Sequence, residues 1–326
     1  MFNENKPINL FFSCDDGYVP FLSVALHSIK ENRNRLRRYN AIILHTGISR
    51  ENIELITAYY NEPSFSIRFE NISSFVEEFS DALHTRDYYS KTTYYRLFIP
   101  KLFPHLDKAL YLDSDIIVTS DISALYDTDL GENLVGAIPD EFVNNFEVLR
   151  LYTENRVGVK KTDGYFNAGV LMMNLDAMRR FDFLNVFLKV LGEVKFDVAQ
   201  DQDYLNAICK DRVKYIDYAW NEMPLDKTTK SAKPKLIHFN LDCKPWQKDG
   251  VLYADLFWNF ADETPYAKRI REIRTQFDQA RIEKAKKETE RLIVNAYNQA
   301  SDERECRRIV GFIDRCIGVF RKAYAD

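Results

Sequence analysis

The sequence contains little cysteine, and none of it is spaced for zinc or redox chemistry. The five cysteines are an odd number, and no two of them form a C-x-x-C pair. Neither a zinc site nor a thioredoxin-like motif is therefore indicated. Irregularly spaced thiols of this kind are typical of a reducing compartment. The five residues are Cys14, Cys209, Cys243, Cys306 and Cys316.

Long apolar runs are also missing. No stretch approaches the roughly 20 apolar residues that a membrane-spanning helix needs. The first residues, MFNENKPINLFFSCDDG, lack a basic segment followed by an apolar one, so no secretory signal is indicated. We therefore expect a cytoplasmic protein that is at most peripheral to a membrane.

The net charge is small but unevenly distributed. With 45 basic and 49 acidic residues the net charge is −4, which argues against a general nucleic-acid binder. Tyr266–Asp326 carry a net charge of +5, whereas Met1–Pro265 carry −9. The basic segment contains no proline and is rich in helix formers. We therefore predict a catalytic domain over residues 1–265 and a helical, basic tail over residues 266–326.

The tail has two apolar stripes at helical spacing. One comprises Tyr266, Ile270, Ile273 and Phe277, and the other comprises Ile309, Phe312, Ile313, Cys316 and Phe320. The first stripe is narrow and acidic residues dilute the basic face, whereas a dedicated membrane-surface helix has a broader apolar face. We therefore expect the tail to pack against protein or to mediate self-association. Peripheral contact with an anionic membrane or a lipid-linked acceptor is the alternative.

The first third of the chain alternates strand-like and helix-like segments. Strand patterns at Ile8–Cys14, Ala41–Thr46 and Ser66–Ile72 are interleaved with a helical pattern at Val19–Asn32. This alternation predicts an α/β fold with a mostly parallel central sheet. Later strand-like runs occur in Leu134–Asp140, Tyr165–Leu175 and Lys235–Trp246, and Ala199–Cys209 opens like a helix.

The segment ALYLDSDIIV, residues 109–118, interrupts an apolar run with two acids. In a strand, residues two apart point to the same side, so Asp113 and Asp115 would share one face. Like charges held that close repel each other unless a cation lies between them. Ligands of parallel sheets bind beyond the carboxyl ends of the strands, where Asp15 and Asp16 also fall. Carboxylate oxygens suit Mg²⁺ or Mn²⁺, so we predict a metal site here rather than a surface turn.

A second reading of the same acids is a phosphotransferase. In haloacid-dehalogenase-type enzymes the first aspartate of a D-x-D sequence is the nucleophile, which would be Asp113. Those enzymes usually carry it near the start of the domain and need a later paired-acid motif. Here 112 residues precede Asp113, and the later acids in Gln200–Asp203 open a predicted helix. This hypothesis is therefore kept as the alternative.

Six motifs, taken in order, resemble glycosyltransferase family 8. This family of retaining nucleotide-sugar transferases includes bacterial lipopolysaccharide galactosyl- and glucosyltransferases and glycogenin. The motifs are CDDGY (Cys14–Tyr18), TTYYRL (Thr92–Leu97), LDSD (Leu112–Asp115), FNAGVLMMNL (Phe166–Leu175), QDQDYLN (Gln200–Asn206) and HFNLDCKPW (His238–Trp246). The resemblance covers about Ile8 to Trp246. It implies a GT-A type fold and transfer of glucose or galactose from a UDP-sugar to a saccharide acceptor, such as a glycan or lipopolysaccharide.

The resemblance implies a metal-binding set and a nucleotide-binding set. Asp113, Asp115 and His238 would bind Mn²⁺, with Mg²⁺ possible, because an imidazole nitrogen suits Mn²⁺ better than Mg²⁺. The cation would join these residues to the donor diphosphate and neutralise charge on the leaving group. Asp15 and Tyr18 would recognise the uracil base by hydrogen bonding and stacking. Lys244 would reach the diphosphate. Without the resemblance, a lone histidine, a turn acid and a half-buried tyrosine would each be read as structural.

The resemblance also implies which residues surround the donor sugar. Arg96, Asp140 and Asn167 would bind it, and Asp201 and Gln202 would act in catalysis. Double displacement is the usual route to retention, but the amide of Gln202 is a poor nucleophile. We therefore favour a front-face mechanism in which the departing diphosphate accepts the acceptor's proton. Asp201 would hold the sugar and Gln202 would steady the oxocarbenium ion.

Two positions depart from the family pattern. Leu241 stands where galactosyltransferases of the family have a glycine, so the resemblance does not imply a backbone contact to phosphate at this position. Gly17 stands where close relatives often have asparagine. A catalytically silent carbohydrate-binding relative is a further alternative, but its metal ligands would be free to change, and here all three are present.

Overall fold

The computed structural model describes residues 6–79, 91–160, 164–225 and 231–323. The strands are β1 (Ile8–Ser13), β2 (Tyr39–His45), β3 (Phe65–Asn71), β4 (Lys108–Leu112), β5 (Ile116–Val118), β6 (Val135–Pro139), β7 (Phe166–Asn174), β8 (Val213–Tyr215) and β9 (Leu236–His238). The first helices are α1 (Val19–Asn32), α2 (Arg50–Tyr60), α3 (Ser73–Glu77), α4 (Ile99–Leu102), α5 (Ser123–Tyr126), α6 (Glu141–Asn145) and α7 (Glu147–Tyr152). The later helices are α8 (Leu175–Arg180), α9 (Phe183–Glu193), α10 (Asp201–Cys209), α11 (Ala254–Asp262), α12 (Ala267–Thr275), α13 (Gln279–Ser301) and α14 (Glu303–Ala323).

The chain forms two compact units, each built from several segments. The first unit comprises Met1–Glu78, Ala109–Asp129 and Asp217–Lys287. The second unit comprises Phe79–Lys108, Leu130–Ile216 and Glu288–Asp326. These units do not test the boundary predicted near Pro265, which stays a prediction.

In the first unit, four parallel strands lie in the order β3-β2-β1-β4. Strand β1 is apolar on both faces. Leu10 and Phe12 lie on one face and Phe11 lies on the other, and all three side chains are fully buried. Helix α1 follows β1 with Pro20 in its first turn, where a missing N–H costs nothing. The predicted strands are confirmed to within two residues at each end. The α/β prediction is confirmed as well.

The carboxyl ends of β1 and β4 lie at the same edge, because the strands are parallel with Leu10 opposite Leu110. The prediction of one interrupted strand across Asp113 and Asp115 is wrong, however. Strand β4 ends at Leu112, and β5 belongs to a separate antiparallel pair with β9. The two acids therefore lie in the connection between two sheets rather than on one face of a strand.

In the second unit, β6 lies between β7, which is antiparallel to it, and β8, which is parallel. The pairing of β6 with β7 is irregular. Ala137 pairs with Leu171 and the next residue, Ile138, pairs with Asn167, so residues 168–170 of β7 form a bulge. Bulges are frequent next to functional sites because they redirect side chains and leave backbone groups unpaired.

The apolar stripes of the tail pack within the unit to which each belongs. In the first unit, Ile270 of α12 is fully buried, and Tyr266 Oη donates to Asn52 Oδ1 at 2.6 Å. In the second unit, Ile309 and Ile313 of α14 are buried, and α14 contacts α9. Phe320 lies outside the side chains that the structure describes. In the described part of the chain, no helix has the length and apolar character needed to span a bilayer.

Candidate active site

Two carboxylates occupy the short connection between β4 and β5. Asp113 Oδ1 accepts a hydrogen bond from Tyr111 Oη at 3.0 Å. The carbonyl oxygen of Asp115 accepts from Phe239 N at 2.8 Å, which ties this connection to the end of β9. Both side chains are only partly exposed. The two acids are therefore held at the sheet edge despite lying outside regular strands.

His238 joins these carboxylates because β9 pairs with β5. The ladder sets His238 opposite Ile116, the residue after Asp115. Its Nε2 atom lies 3.3 Å from Asp115 Oδ1 and 3.7 Å from Asp113 Oδ2. One ligand atom from each of the three residues lies within 4.8 Å of the others. Two carboxylate oxygens and one imidazole nitrogen at this spacing suit a divalent metal ion, and the three residues fit that group.

Lys244 lies on the other side of Asp115. Its ammonium group bonds to Asp115 Oδ2 and donates to the carbonyl oxygen of Phe239 at 2.8 Å. Burial alone would lower the pKa of Lys244, but the interactions with Asp115 and Tyr18 together outweigh it and raise the pKa above its usual value. Burial likewise would raise the pKa of Asp115, yet Lys244 and His238 hold it below its usual range. Both groups are therefore charged at neutral pH.

Asp15 and Tyr18 lie at the end of β1 in the same unit. Asp15 is exposed and its Oδ1 atom accepts from Tyr18 N at 3.0 Å, which caps the short turn Asp16–Tyr18. The Tyr18 ring lies 5.9 Å from the Lys244 ammonium group and packs edge-on against Phe21. Burial raises the pKa of Tyr18 to about 12, so the phenol is neutral. An aromatic face and an exposed carboxylate thus adjoin the lysine.

The second unit contains a hydrogen-bonded cluster of Asp140, Asn167 and Gln202. Asp140 Oδ2 accepts from Asn167 Nδ2 and from Gln202 Nε2, both at 3.0 Å. Its Oδ1 atom caps α6 by accepting from Val143 N at 2.9 Å. Gln202 Oε1 accepts from Ala168 N at 2.9 Å. Because a backbone N–H can only donate, this contact fixes which end of the Gln202 amide is oxygen.

Arg96 and Asp201 form a buried ion pair beside this cluster. Arg96 Nε lies 3.0 Å from Asp201 Oδ2, and both side chains are about 5% exposed or less. The guanidinium also donates to the carbonyl oxygen of Ala168, within the β7 bulge. Arg96 lies in a 3₁₀ helix, Lys91–Phe98, and is not the surface charge that an ordinary helical arginine would be.

The first turn of α10 is anchored by an acid whose role the sequence did not reveal. Asp203 is fully buried and accepts hydrogen bonds from Tyr165 Oη at 2.7 Å and Tyr152 Oη at 2.9 Å. The side chain of Asp203 lies on a different side of α10 from the side chain of Asp201, because residues two apart on a helix do not face each other. In the sequence, the QDQD motif at Gln200–Asp203 was the available signal for a role of Asp203. The tyrosines are too distant in sequence to be found by motif.

The structure brings the predicted residues together in two groups. The first unit holds Asp15, Tyr18, Asp113, Asp115, His238 and Lys244, and the second holds Arg96, Asp140, Asn167, Asp201 and Gln202. Sequence reasoning missed Asn221, whose Oδ1 atom lies 3.0 Å from His238 Nδ1. Leu241, at the position where the family resemblance implies a glycine, has a left-handed φ of 51°. That conformation favours glycine, so the departure noted from the sequence is a strained one.

Comparison with known proteins gives concordant matches. The profile of Glycosyl transferase family 8 matches residues 9–250. A putative glycosyltransferase of Haemophilus influenzae is 30% identical over 227 residues, covering 68% of this chain and 66% of the relative. The solved WbbM bifunctional glycosyltransferase superposes with a TM-score of 0.72 at 27% identity, over 83% of this chain and 52% of that one. The galactosyltransferase LgtC, solved with donor and acceptor sugar analogues, has a TM-score of 0.67 at 29% identity, over 79% of this chain and 96% of LgtC.

These matches agree with the fold described above. The neighbours are glycosyltransferases with the GT-A arrangement, so the predicted fold class is confirmed. The chain spans about two thirds of the Haemophilus relative and about half of WbbM. The match to the family profile runs from β1 to the segment after Lys244, and it therefore includes both groups of site residues.

Proposed function

Because this chain belongs to Glycosyl transferase family 8, we propose that it is a retaining, Mn²⁺-dependent hexosyltransferase. It moves glucose or galactose from a UDP-sugar to a hydroxyl of a saccharide acceptor, of the glycan or lipopolysaccharide type. The observation that carries this proposal is the convergence of Asp113, Asp115 and His238 on one point at the sheet edge. A silent relative would have no reason to keep three such ligands together.

Asp113, Asp115 and His238 would hold the metal. An imidazole nitrogen among carboxylate oxygens favours Mn²⁺ over Mg²⁺. When bound, the ion would supply positive charge that stabilises the departing diphosphate. Asp115 is already paired with Lys244, so the site combines a metal ligand set with a permanent cation of the chain. Two positive charges beside one another suit the binding of a diphosphate.

The uridine part of the donor would lie against Asp15 and Tyr18. The Asp15 carboxylate is exposed, and only its Oδ1 atom is engaged by Tyr18 N. A carboxylate in that state can accept the N3–H of uracil, and the neighbouring Tyr18 ring supplies a stacking face. Lys244 lies within 5.9 Å of the same ring, where it would contact the first phosphate.

Hydrogen bonding in the second group supports a front-face mechanism. Gln202 Oε1 accepts from Ala168 N at 2.9 Å and from Asn167 Nδ2 at 3.3 Å, so this amide oxygen is engaged within the chain. The carboxylate of Asp201 is paired with Arg96, and both oxygens of Asp140 accept hydrogen bonds. A double displacement needs a nucleophile beneath the anomeric carbon, and in this group Gln202 is an amide while both acids are held by contacts within the chain. The departing diphosphate would instead take the acceptor's proton.

The acceptor would be selected by the segment after β6, which comprises the short helices α6 and α7. Two side chains of this segment, Phe146 and Leu151, are 42% and 44% exposed. Apolar and aromatic surfaces of this kind pack against the C–H faces of sugar rings. The segment directly follows Asp140, which belongs to the second group of proposed site residues.

The test is release of UDP from UDP-glucose and UDP-galactose by the full chain, with Mn²⁺ and a panel of saccharide acceptors. We expect release that stops with a chelator and in the Asp113→Asn and Asp115→Asn variants, and product with retained anomeric configuration by NMR. The matched control is Asp255→Asn, which removes the same charge from an exposed position of α11. Donor binding without release for any acceptor would indicate the silent relative. Formation of an aspartyl-phosphate at Asp113 would indicate the phosphotransferase.

A further inference from the structure

Asn221 is buried beside the proposed metal ligands and contacts one of them. Its side chain is almost completely buried, and Oδ1 lies 3.0 Å from His238 Nδ1. The backbone around it is fixed on both sides. Asn221 N donates to the carbonyl oxygen of Tyr218 at 2.9 Å, and Glu222 N donates to that of Leu236 at 2.9 Å. The amide is therefore held against the histidine ring by the backbone of its own segment.

This contact determines which ring nitrogen carries a proton. An amide oxygen can only accept, so with Oδ1 facing the ring, Nδ1 of His238 must donate. In a neutral imidazole the proton on Nδ1 leaves a lone pair on Nε2. That atom faces Asp115 Oδ1 at 3.3 Å and Asp113 Oδ2 at 3.7 Å. A lone pair facing two carboxylates is favourable only when a cation lies among the three.

We infer that Asn221 is a positioning residue that holds His238 in the Nδ1-protonated form and thereby offers Nε2 to the divalent ion. The inference rests on the metal site of the proposed function and adds to it a group that is not itself a ligand. Outer partners of this kind fix the tautomer and the ring orientation of metal-binding histidines. Asn221 can play this role only when its amide oxygen, Oδ1, and not its Nδ2 atom, faces His238 Nδ1.

The opposite amide orientation has the opposite consequence. If the Asn221 amide were turned, its Nδ2 would donate to His238 Nδ1 and the ring proton would lie on Nε2. Nε2 would then donate to Asp115 and could not bind a metal ion. The contact would be a structural histidine–aspartate hydrogen bond. The two arrangements are therefore distinguished by the position of one proton and by metal affinity.

The first experiment measures Mn²⁺ binding by titration calorimetry on the full chain without donor. Asn221→Leu keeps the approximate volume and removes the acceptor, and we expect binding about 10- to 100-fold weaker than in the wild type. Asn221→Asp keeps an acceptor and should bind Mn²⁺ at least as tightly as the wild type. The control is Asn240→Leu, because the Asn240 amide contacts Met223 Sδ and not a metal ligand.

The second measurement uses the wild type, so it does not depend on whether a variant folds. The ¹⁵N shifts of the histidine rings in the wild type saturated with Mg²⁺, a diamagnetic ion, report which nitrogen of each ring carries a proton, and the chain has only five histidines. We expect the His238 proton on Nδ1. A proton on Nε2, or unchanged Mn²⁺ affinity in a folded Asn221→Leu variant, overturns the inference while the metal site stands. If the wild type itself binds no Mn²⁺, the proposed metal site fails and the inference fails with it.

Discussion

The ammonium group of Lys244 bonds to Asp115, the same carboxylate whose other oxygen lies 3.3 Å from His238 Nε2. The chain therefore supplies a positive charge of its own beside the proposed metal ligands.

Lys244→Met should have opposite effects on the binding of Mn²⁺ and of the donor. Mn²⁺ binding without donor should tighten by roughly tenfold, because Asp115 loses a competing cation. The KM for UDP-hexose should rise, because the diphosphate loses a cation.

Calorimetry with Mn²⁺ and steady-state kinetics with the donor provide the two measurements for Lys244→Met. Lys248→Met is the matched control, since Lys248 pairs with Asp242 at 2.9 Å and not with a proposed metal ligand. Weaker Mn²⁺ binding in Lys244→Met, with the fold intact, would mean that the lysine supports the metal site and does not compete with it.

His238→Ala should change the metal preference of the enzyme. Removing the only nitrogen donor of the proposed set leaves oxygen ligands, which suit Mg²⁺ relatively better. We expect the rate with Mn²⁺ to fall and the ratio of Mg²⁺-supported to Mn²⁺-supported rate to rise. His27→Ala is the control, because His27 is also buried but contacts Glu263. An unchanged ratio would assign His238 a structural role.

Gln202→Glu should reduce turnover without producing a covalent intermediate. The new carboxylate replaces an amide that donates to Asp140 Oδ2 at 3.0 Å, so two acids would repel each other. We expect kcat to fall by at least about tenfold and intact-mass spectrometry to detect no glycosyl adduct. Gln299→Glu is a matched control, since it breaks a similar bond to Asp197 at 2.8 Å. A trapped adduct at residue 202 would favour double displacement.

Tyr165→Phe should destabilise the fold. Asp203 is fully buried, and losing the Tyr165 hydroxyl leaves one of its oxygens without a donor that it now has at 2.7 Å. The expected loss is about 1–3 kcal/mol in the free energy of unfolding, measured by urea denaturation. Tyr215→Phe, which removes a more exposed bond to Gly164 O, should cost less than about 1 kcal/mol. Equal losses in the two variants would contradict the assigned role of Asp203.

Leu241→Gly should be at least as stable as Leu241→Ala. At an ordinary position glycine is less stable than alanine by roughly 0.5–1 kcal/mol. The left-handed φ of 51° at Leu241 reverses that preference, because only glycine adopts it without strain. Both variants remove the same half-exposed side chain, so the comparison isolates the backbone. Chemical denaturation gives the two free energies, and a clearly less stable glycine variant would argue against backbone strain here.

Much of the fold was predictable because its signals are local. Apolar runs located β1, β2 and β3 to within two residues, and the acids after β1 and β4 lie at one edge of the sheet, as parallel topology predicts. Motif order then grouped Arg96, Asn167 and Gln202 before any geometry was known. The strand predictions depend on sequence periodicity, which a single sequence displays directly, whereas the grouping of these three residues rests on the family resemblance.

The parts that could not be predicted depend on partners far apart in sequence. Nothing near His238 points to Asn221, and nothing near Asp203 points to Tyr152 or Tyr165. The break between β4 and β5 was also missed. Its apolar flanks resemble one strand, whereas the second half pairs with β9, more than 100 residues later. Such pairings are tertiary and leave no periodic trace in the sequence.

The bulge in β7 has a consequence for how this site can vary. The backbone N–H of Ala168 donates to Gln202, and its carbonyl oxygen accepts from Arg96. Main-chain atoms, supplied by irregular strand pairing, therefore hold two of the proposed site residues. Point substitutions at residue 168 other than proline leave both backbone groups in place, whereas a deletion within the bulge changes the position of both groups together. Along lineages of this chain, the length of β7 should be preserved more strictly than the identity of its residue 168.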